Sequence, residues 1–230
     1  MNIKHVFFDL DRTLWDFNAN SRLELRLIWE DFKLHQLGIS LPDEFIKIYE
    51  QINSECWDLY RKNEITKEKL RIKRFSDTLN YFGIKNELLS EQIATQYTNN
   101  SPKRTILVEG AFSLLDYLEA KYPLHIITNG FEEVQRVKLN NCQLSRYFET
   151  FTSSEEVGVT KPHPSIFSKA LSKANANKKN SVYIGDDLLV DIKGAADFGM
   201  HSIYYNPNKK QHTLDILGDV TQLKEIQSIL

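Results

Sequence analysis

These 230 residues predict an α/β fold built on a doubly wound, mostly parallel sheet, and three observations carry that prediction. A short, unbroken apolar run stands at His5–Phe8 (HVFF), and similar signals recur at Leu124–Thr128 (LHIIT), Ser181–Ile184 (SVYI) and Ser202–Tyr205 (SIYY), with a weaker one at Phe148–Thr152. Runs without in-out alternation suit strands covered on both faces. Through residues 106–206 these runs are separated by helix-length amphipathic sequence, the alternation that lays down a parallel sheet between helices. The block from about Asn20 to Asn100, in contrast, shows only three-to-four-residue apolar spacing.

Taken in order, the first run ends in Asp9-Leu10-Asp11, so a buried strand delivers carboxylates at its C-terminal end. The stripes Leu23, Leu27, Ile28, Phe32 and Phe45, Ile48, Tyr49, Ile52 then mark amphipathic helices, with Pro42 and Gly83 at natural boundaries. Residues 18–102 therefore read as an all-helical cap of four or five helices, inserted into a core made of residues 1–17 and 103–230 and expected over the ligand edge of the sheet. Glu109-Gly110 opens a core helix with the stripe Phe112, Leu115, Leu118, which Pro123 closes. From Thr221, the residues Leu223, Ile226 and Ile229 predict a last helix on the sheet. The charged run Lys67–Arg74 reads as a solvated helix face, and Trp29 and Trp57 as cap core.

Composition narrows the function classes. Hydrophobic residues at 41% and charged residues at 26% exclude a disordered or collagen-like chain. With 29 basic against 31 acidic residues, the net charge of -2 offers no footprint for a nucleic acid polymer or an anionic membrane. Cys56 and Cys142 stand far apart without metal-site spacing, so neither a disulfide framework nor a zinc site is expected. No apolar run reaches the roughly 18 residues of a membrane span or forms a signal-peptide core. A cytoplasmic protein, monomeric or weakly dimeric, acting on a small molecule is the expectation.

Asp9 and Asp11 lie two residues apart at a strand end, and in extended chain their side chains point the same way. Unit charges at 4 Å repel by about 4 kcal/mol at an effective dielectric near 20, so such a pair requires a cation, a shared proton or full solvation. Gly185-Asp186-Asp187 follows another strand, with Asp191 one helical turn on. An all-oxygen donor set of this kind suits Mg²⁺, and phosphate chemistry follows from it. Thr128, Asn129 and Gly130 offer a hydroxyl, an amide and backbone donors at a helix entrance, and Lys161 adds a positive charge. A carboxylate can attack phosphorus to give an aspartyl-phosphate that water then hydrolyses. Each of these residues also has a plain structural use as a cap, a turn former or a surface charge. His163 reads as a turn or helix-entry residue.

Asp9-Leu10-Asp11-Arg12-Thr13-Leu14, Ile127-Thr128-Asn129, Lys161-Pro162 and Gly185-Asp186-Asp187 through Asp191 together resemble, in order, the four motifs of the haloacid dehalogenase-like hydrolase superfamily. The helical insert resembles the cap of its subclass I. The resemblance implies Asp9 as nucleophile and metal ligand, and Asp11 as general acid/base with its backbone carbonyl on the metal. It further implies Asp186 as third metal ligand, Thr128 and Asn129 as phosphate binders, and Lys161 bridging nucleophile and phosphate. Asp187 and Asp191 would orient metal waters or Lys161, and Thr13 would buttress the turn.

Asp11 distinguishes the chain from the superfamily's dehalogenases, which lack that second carboxylate, and so implies a phosphatase. Phosphonate hydrolysis would need a cap lysine in a recognisable context, and neither Lys47 nor Lys62 has one. Trp15, Asp16 and Phe17 are similar to the pyrimidine-type 5′-nucleotidases, although Arg12 stands where Gly or Asp is usual. The implied substrate is a nucleoside 5′-monophosphate, with Trp15 and Phe17 as base-recognition candidates. A sugar-phosphate or phosphoglycolate phosphatase, a mutase, and a non-catalytic nucleotide-binding module are the competing expectations.

Overall fold

The computed structural model describes residues 2–230, which fall into two compact units. One comprises the residues up to 17 together with 105–230, and the other residues 18–104.

The first unit is organised by a six-stranded, all-parallel sheet of order β3-β2-β1-β4-β5-β6. Its strands are β1 (His5–Phe8), β2 (Leu124–Thr128), β3 (Phe148–Ser153), β4 (Ser181–Gly185), β5 (His201–Tyr205) and β6 (Gly218–Val220). Central β1 pairs Phe8 with Ile126 on one side and Ile184 on the other. The pleat divides its apolar run between two cores. Val6 and Phe8 join Ile126, Ile184, and Leu114, Leu115 and Leu118 of α5 (Ala111–Glu119). Phe7 turns the other way, with Ile127 and Tyr183, onto Ile166, Phe167 and Ala170 of α8 (Pro164–Lys173). At roughly 1.5–3 kcal/mol for each large apolar side chain buried, this two-sided packing fixes which face every strand residue takes. The remaining helices of the unit are α6 (Glu132–Asn141), the one-turn α7 (Ser154–Val157) and α9 (Gly194–Phe198). Because β1 sits between β2 and β4, the chain order reverses on either side of it, and the carboxyl ends of these three strands frame the crevice where such sheets bind ligands.

Two C-terminal details differ from expectation. β6, three residues of sequence Gly-Asp-Val, pairs with β5 although it has no apolar run to announce it. Residues Leu223–Ser228 form 3₁₀ turns in place of an α-helix, yet Leu223 and Ile226 pack into the core as expected. A strict spacing of three between Leu223, Ile226 and Ile229 matches the 3₁₀ period better than 3.6.

The second unit is helical: α1 (Phe17–Asp31, beginning at the boundary), α2 (Pro42–Arg61), α3 (Lys67–Tyr81) and α4 (Glu87–Asn100). Pro42 occupies the first turn of α2 with Asp43 and Glu44, where a missing N–H costs nothing and negative charge meets the positive end of the helix dipole. Thr66 and Asn86 cap α3 and α4 by accepting from Lys69 N and Leu89 N. Leu25, Ile28, Phe45, Tyr49, Phe75, Leu79, Ile93 and Tyr97 form the core, while Trp29 and Trp57 are half-buried. Arg74 departs from the solvated face expected for Lys67–Arg74. Its side chain is buried, donating to Asn53 Oδ1 at 3.2 Å with its guanidinium 4.8 Å from the Tyr97 ring centre. Among the described residues, no helix is long and apolar enough to cross a membrane.

His125 in β2 is fully buried, with its ring nitrogens 2.9 Å from Thr150 Oγ1 and 3.2 Å from His5 Nδ1. Burial, and secondarily the neighbouring His5, lower its pKa from 6.5 to about 4. Between those values the unfolded chain binds a proton that the folded chain refuses, so stability present at neutral pH is lost as pH falls through 6.5 towards 4, by up to roughly 3 kcal/mol. Urea titrations at about pH 7.5 and about pH 5 should show a smaller acid loss in His125→Gln than in the parent. Identical acid losses would contradict this account.

Candidate active site

Asp9 prolongs β1 by one residue, its N–H donating to Ile184 O at 2.9 Å, and its side chain is buried. Asp9 Oδ1 accepts from Lys161 Nζ at 2.6 Å, and Oδ2 has no hydrogen bond among the described residues. Lys161 is itself buried. Its ammonium also reaches Asp191 Oδ1 at 2.7 Å, Tyr183 Oη at 2.8 Å and Ile127 O at 3.2 Å. Burial alone would pull the lysine pKa down, but Asp191 and Asp9 outweigh it and hold the group above its usual value. Asp9, Asp186 and Asp191 each present an oxygen to a common space, all three within 4.8 Å of one another.

Three carboxylates against one ammonium leave an excess of negative charge. Burial, followed by the charges of Asp191 and Asp11, pushes Asp9 up to about 7 in spite of Lys161. Asp186 is driven well above the carboxylate range by its own burial and by the Asp191 and Asp9 charges. Such a set is relieved by a cation or by protons. All-oxygen donors fit a hard divalent ion, and the cluster has the chemistry to hold Mg²⁺.

Local backbone explains the arrangement. Asp187, exposed, caps the following turn, its Oδ1 accepting from Leu189 N and Val190 N at 2.9 Å each. Leu188–Lys193 form a wide π-type turn that carries Asp191 back over the strand end. Asp191 Oδ2 then accepts from Asp187 N at 3.2 Å. This close return requires Gly185, since a Cβ there would lie 2.5 Å from Asp191 Oδ2 and 2.7 Å from its Cβ. Thr13 Oγ1 donates to Asp186 Oδ1 at 3.3 Å.

Several expected orientations change. The chain turns at Leu10, whose carbonyl accepts from both Leu14 N and Trp15 N, so the same-direction rule for an extended chain does not reach Asp11. Instead of sharing the Asp9 cluster, the Asp11 side chain is bound by α6. Lys138 Nζ donates to Oδ1 at 2.6 Å and Gln135 Nε2 to Oδ2 at 2.9 Å. Asn129 was expected to offer its side-chain amide to phosphate, but both ends of that amide are engaged with the Lys161 backbone. Nδ2 donates to Lys161 O at 3.1 Å and Oδ1 accepts from Lys161 N at 2.7 Å, which ties the two loops together. Thr128 Oγ1 accepts from Gly130 N at 3.0 Å and Gln135 Nε2 at 2.7 Å, which leaves its own proton to donate.

Trp15, expected to face a base, is fully buried in the sheet core, with the Lys138 ammonium 4.2 Å from its ring centre. It has no exposed face on which a base can stack. Phe17 is only partly buried, and the Arg12 guanidinium lies 4.5 Å from its ring centre. Arg12 adopts φ 65°, the left-handed region that favours Gly, which accounts for the residue usual at this position. His163 caps α8, its Nδ1 accepting from Ser165 N.

Gln135 and Lys138 were not among the expected site residues. Their signal is two polar side chains three apart on the buried face of an amphipathic helix, next to Leu139.

A model of the haloacid dehalogenase-like hydrolase family matches residues 6–205. YfnB of Bacillus subtilis is 29% identical over 229 residues, 98% of this chain and 94% of that protein. The crystal structure of YfnB bound to magnesium matches with a TM-score of 0.89 at 27% identity, covering 100% of this chain and 99% of that one. The pyrimidine 5′-nucleotidase YjjG of Escherichia coli is 28% identical over 228 residues, 98% of this chain and 96% of that protein. The pyrimidine 5′-nucleotidase PynA of Streptococcus pneumoniae is 30% identical over 216 residues, 93% of this chain and 88% of that protein.

Replacing Gly185 by Ala should force Asp191 off its seat and destabilise the protein by about 1–3 kcal/mol in a denaturant titration. A variant as stable as the parent would contradict the close approach.

Proposed function

The chain belongs to the haloacid dehalogenase-like hydrolases, and from that premise we propose that it is a Mg²⁺-dependent phosphatase of nucleoside 5′-monophosphates, pyrimidine nucleotides first, acting through a phospho-Asp9 intermediate. The observation that carries the chemistry is the buried Lys161–Asp9 pair beside Asp186 and Asp191. Lys161 anchors one oxygen of Asp9 and leaves the other for attack. Asp9 Oδ2 forms the new bond to phosphorus while the bond from phosphorus to the ester oxygen breaks. Asp11 supplies the proton that the departing oxygen takes up. In the second half Asp11 accepts a proton from water, whose oxygen bonds to phosphorus as the bond to Asp9 breaks, releasing inorganic phosphate and restoring the carboxylate.

Asp9 and Asp186 would hold Mg²⁺ together with the Asp11 backbone carbonyl, and Asp191 would keep Lys161 in place. When bound, the ion neutralises charge on the phosphoryl oxygens. The Thr128 hydroxyl proton and the backbone N–H of Asn129 are the donors for the transferring group, whereas the Asn129 side chain acts as a strut to Lys161. Lys161 contributes fixed positive charge already in position before the transition state forms.

The substrate class rests on the similarity to YjjG and PynA over nearly the whole chain. Among the two aromatic candidates at the end of the first motif, burial of Trp15 leaves Phe17 as the one that can meet a base.

Phosphate release should be measured from dUMP, dTMP, UMP, CMP, AMP, phosphoglycolate and several hexose phosphates, with Mg²⁺ and with excess chelator. The expected result is Mg²⁺-dependent release fastest from the pyrimidine nucleotides and none in chelator. Preference for hexose phosphates or phosphoglycolate would overturn the substrate class. Full activity in chelator would overturn the metal requirement.

A further inference from the structure

Lys138 is a buried ammonium whose carboxylate partner is Asp11, and a charge in that position is costly unless it is paired. Its Nζ lies 2.6 Å from Asp11 Oδ1, 4.2 Å from the Trp15 ring centre and 5.9 Å from that of Phe17. One helical turn earlier, Gln135 is fully buried and uses a single Nε2 to reach both Asp11 Oδ2 and Thr128 Oγ1. Gln135 Oε1 has no hydrogen-bond partner, and a Cβ on Gly130 would lie 2.5 Å from the amide. The glutamine is thus packed tightly into its place at the cost of one unsatisfied acceptor, and both of its donor contacts face the catalytic crevice.

Together the two residues occupy both oxygens of Asp11 from one rigid helix face. Asp11 stands in a turn, beside a residue in the left-handed region, where no regular strand or helix fixes its side chain. Proton transfer needs heavy atoms within roughly 2.6–3.2 Å, a tolerance that one wrong rotamer exceeds. Each carboxylate oxygen has a second lone pair beyond the one that Lys138 or Gln135 uses, so Asp11 can carry and surrender a proton without leaving either donor.

We propose that Lys138 and Gln135 are positioning residues for the reaction, fixing the carboxylate of Asp11 in the rotamer from which it transfers protons, with Lys138 the dominant of the two. Gln135 links that carboxylate to Thr128, so the proton donor and a phosphate-binding hydroxyl are aligned by the same amide. The inference rests on the general acid/base role of Asp11 given above.

The test uses Lys138→Met, which keeps the apolar stem over Trp15 and removes the donors. In kcat/KM, which reports steps through phosphoenzyme formation, an alkyl phosphomonoester needs a proton on its leaving oxygen and 4-nitrophenyl phosphate does not. Lys138→Met should lower kcat/KM for the best alkyl ester about tenfold more than for 4-nitrophenyl phosphate, a fraction of the whole general-acid effect. The comparison is made on one preparation, so any unfolded fraction cancels. Lys138→Arg should recover much of the difference. In an Asp11→Asn background the Lys138 substitution should add little, because the two residues act as a unit. Equal losses for both esters, or losses that simply multiply in the double variant, would overturn the proposal. If Asp11→Asn alone loses equally on both esters, the general-acid role itself fails, and the inference with it. A leaving-group dependence in Asp11→Asn that is absent in Lys138→Met overturns the inference alone.

Discussion

One buried ammonium, Lys161 Nζ, holds the site together. It meets a carboxylate from the end of β1, a carboxylate from the turn after β4, the Tyr183 hydroxyl on β4 and the Ile127 carbonyl on β2. Three neighbouring strands are therefore tied at their carboxyl ends by one side chain from the loop before α8. Removing the ammonium would leave buried carboxylates without their counter-charge, which costs several kcal/mol. Even so, the ammonium does not balance the acids around it. The remaining negative charge is one that a cation or protons would relieve, and the raised pKa of Asp9 and Asp186 expresses the same imbalance.

From this constraint the supporting details follow. Gly185 exists so that Asp191 can close over the strand end, and the wide turn at Leu188–Lys193 brings it back. Asn129 bonds the Lys161 backbone at both ends of its amide, fixing the loop that carries the ammonium. α6 serves a second charge pair, Lys138 with Asp11. The two carboxylates of the first motif, two residues apart, thus have separate cationic partners, although the Asp11 charge still raises the pKa of Asp9.

Much of this was legible in the sequence, for identifiable reasons. β1, β2, β4 and β5 are announced by largely apolar runs because burial on both faces favours apolar residues at most of their positions. The acidic and basic motif residues stand out because they follow those runs at the ligand edge. Orientation was harder to read. Trp15 looked substrate-facing from its place after the motif, but the turn closed by the Leu10 carbonyl rotates it into the core. Arg74 looked like one charge among several on a solvated face, and only the packing of Tyr49, Phe75 and Tyr97 reveals its burial. Gln135 and Lys138 carry no motif of their own. Their importance comes from a tertiary contact with Asp11, 124 and 127 residues away in the chain, which no local pattern encodes.

The proposed attack of Asp9 on phosphorus makes a covalent phosphoenzyme, and trapping that species tests it. Enzyme mixed with substrate and Mg²⁺ is quenched in the first turnover and treated with borohydride, which reduces an acyl-phosphate to an alcohol and so converts a phosphorylated aspartate into homoserine. Peptide mass spectrometry then locates the change. Asp9 as the nucleophile predicts homoserine at position 9 and nowhere else, dependent on substrate. Conversion at Asp11, Asp186 or Asp191 in place of Asp9, or no conversion in an enzyme that is turning over, would contradict it.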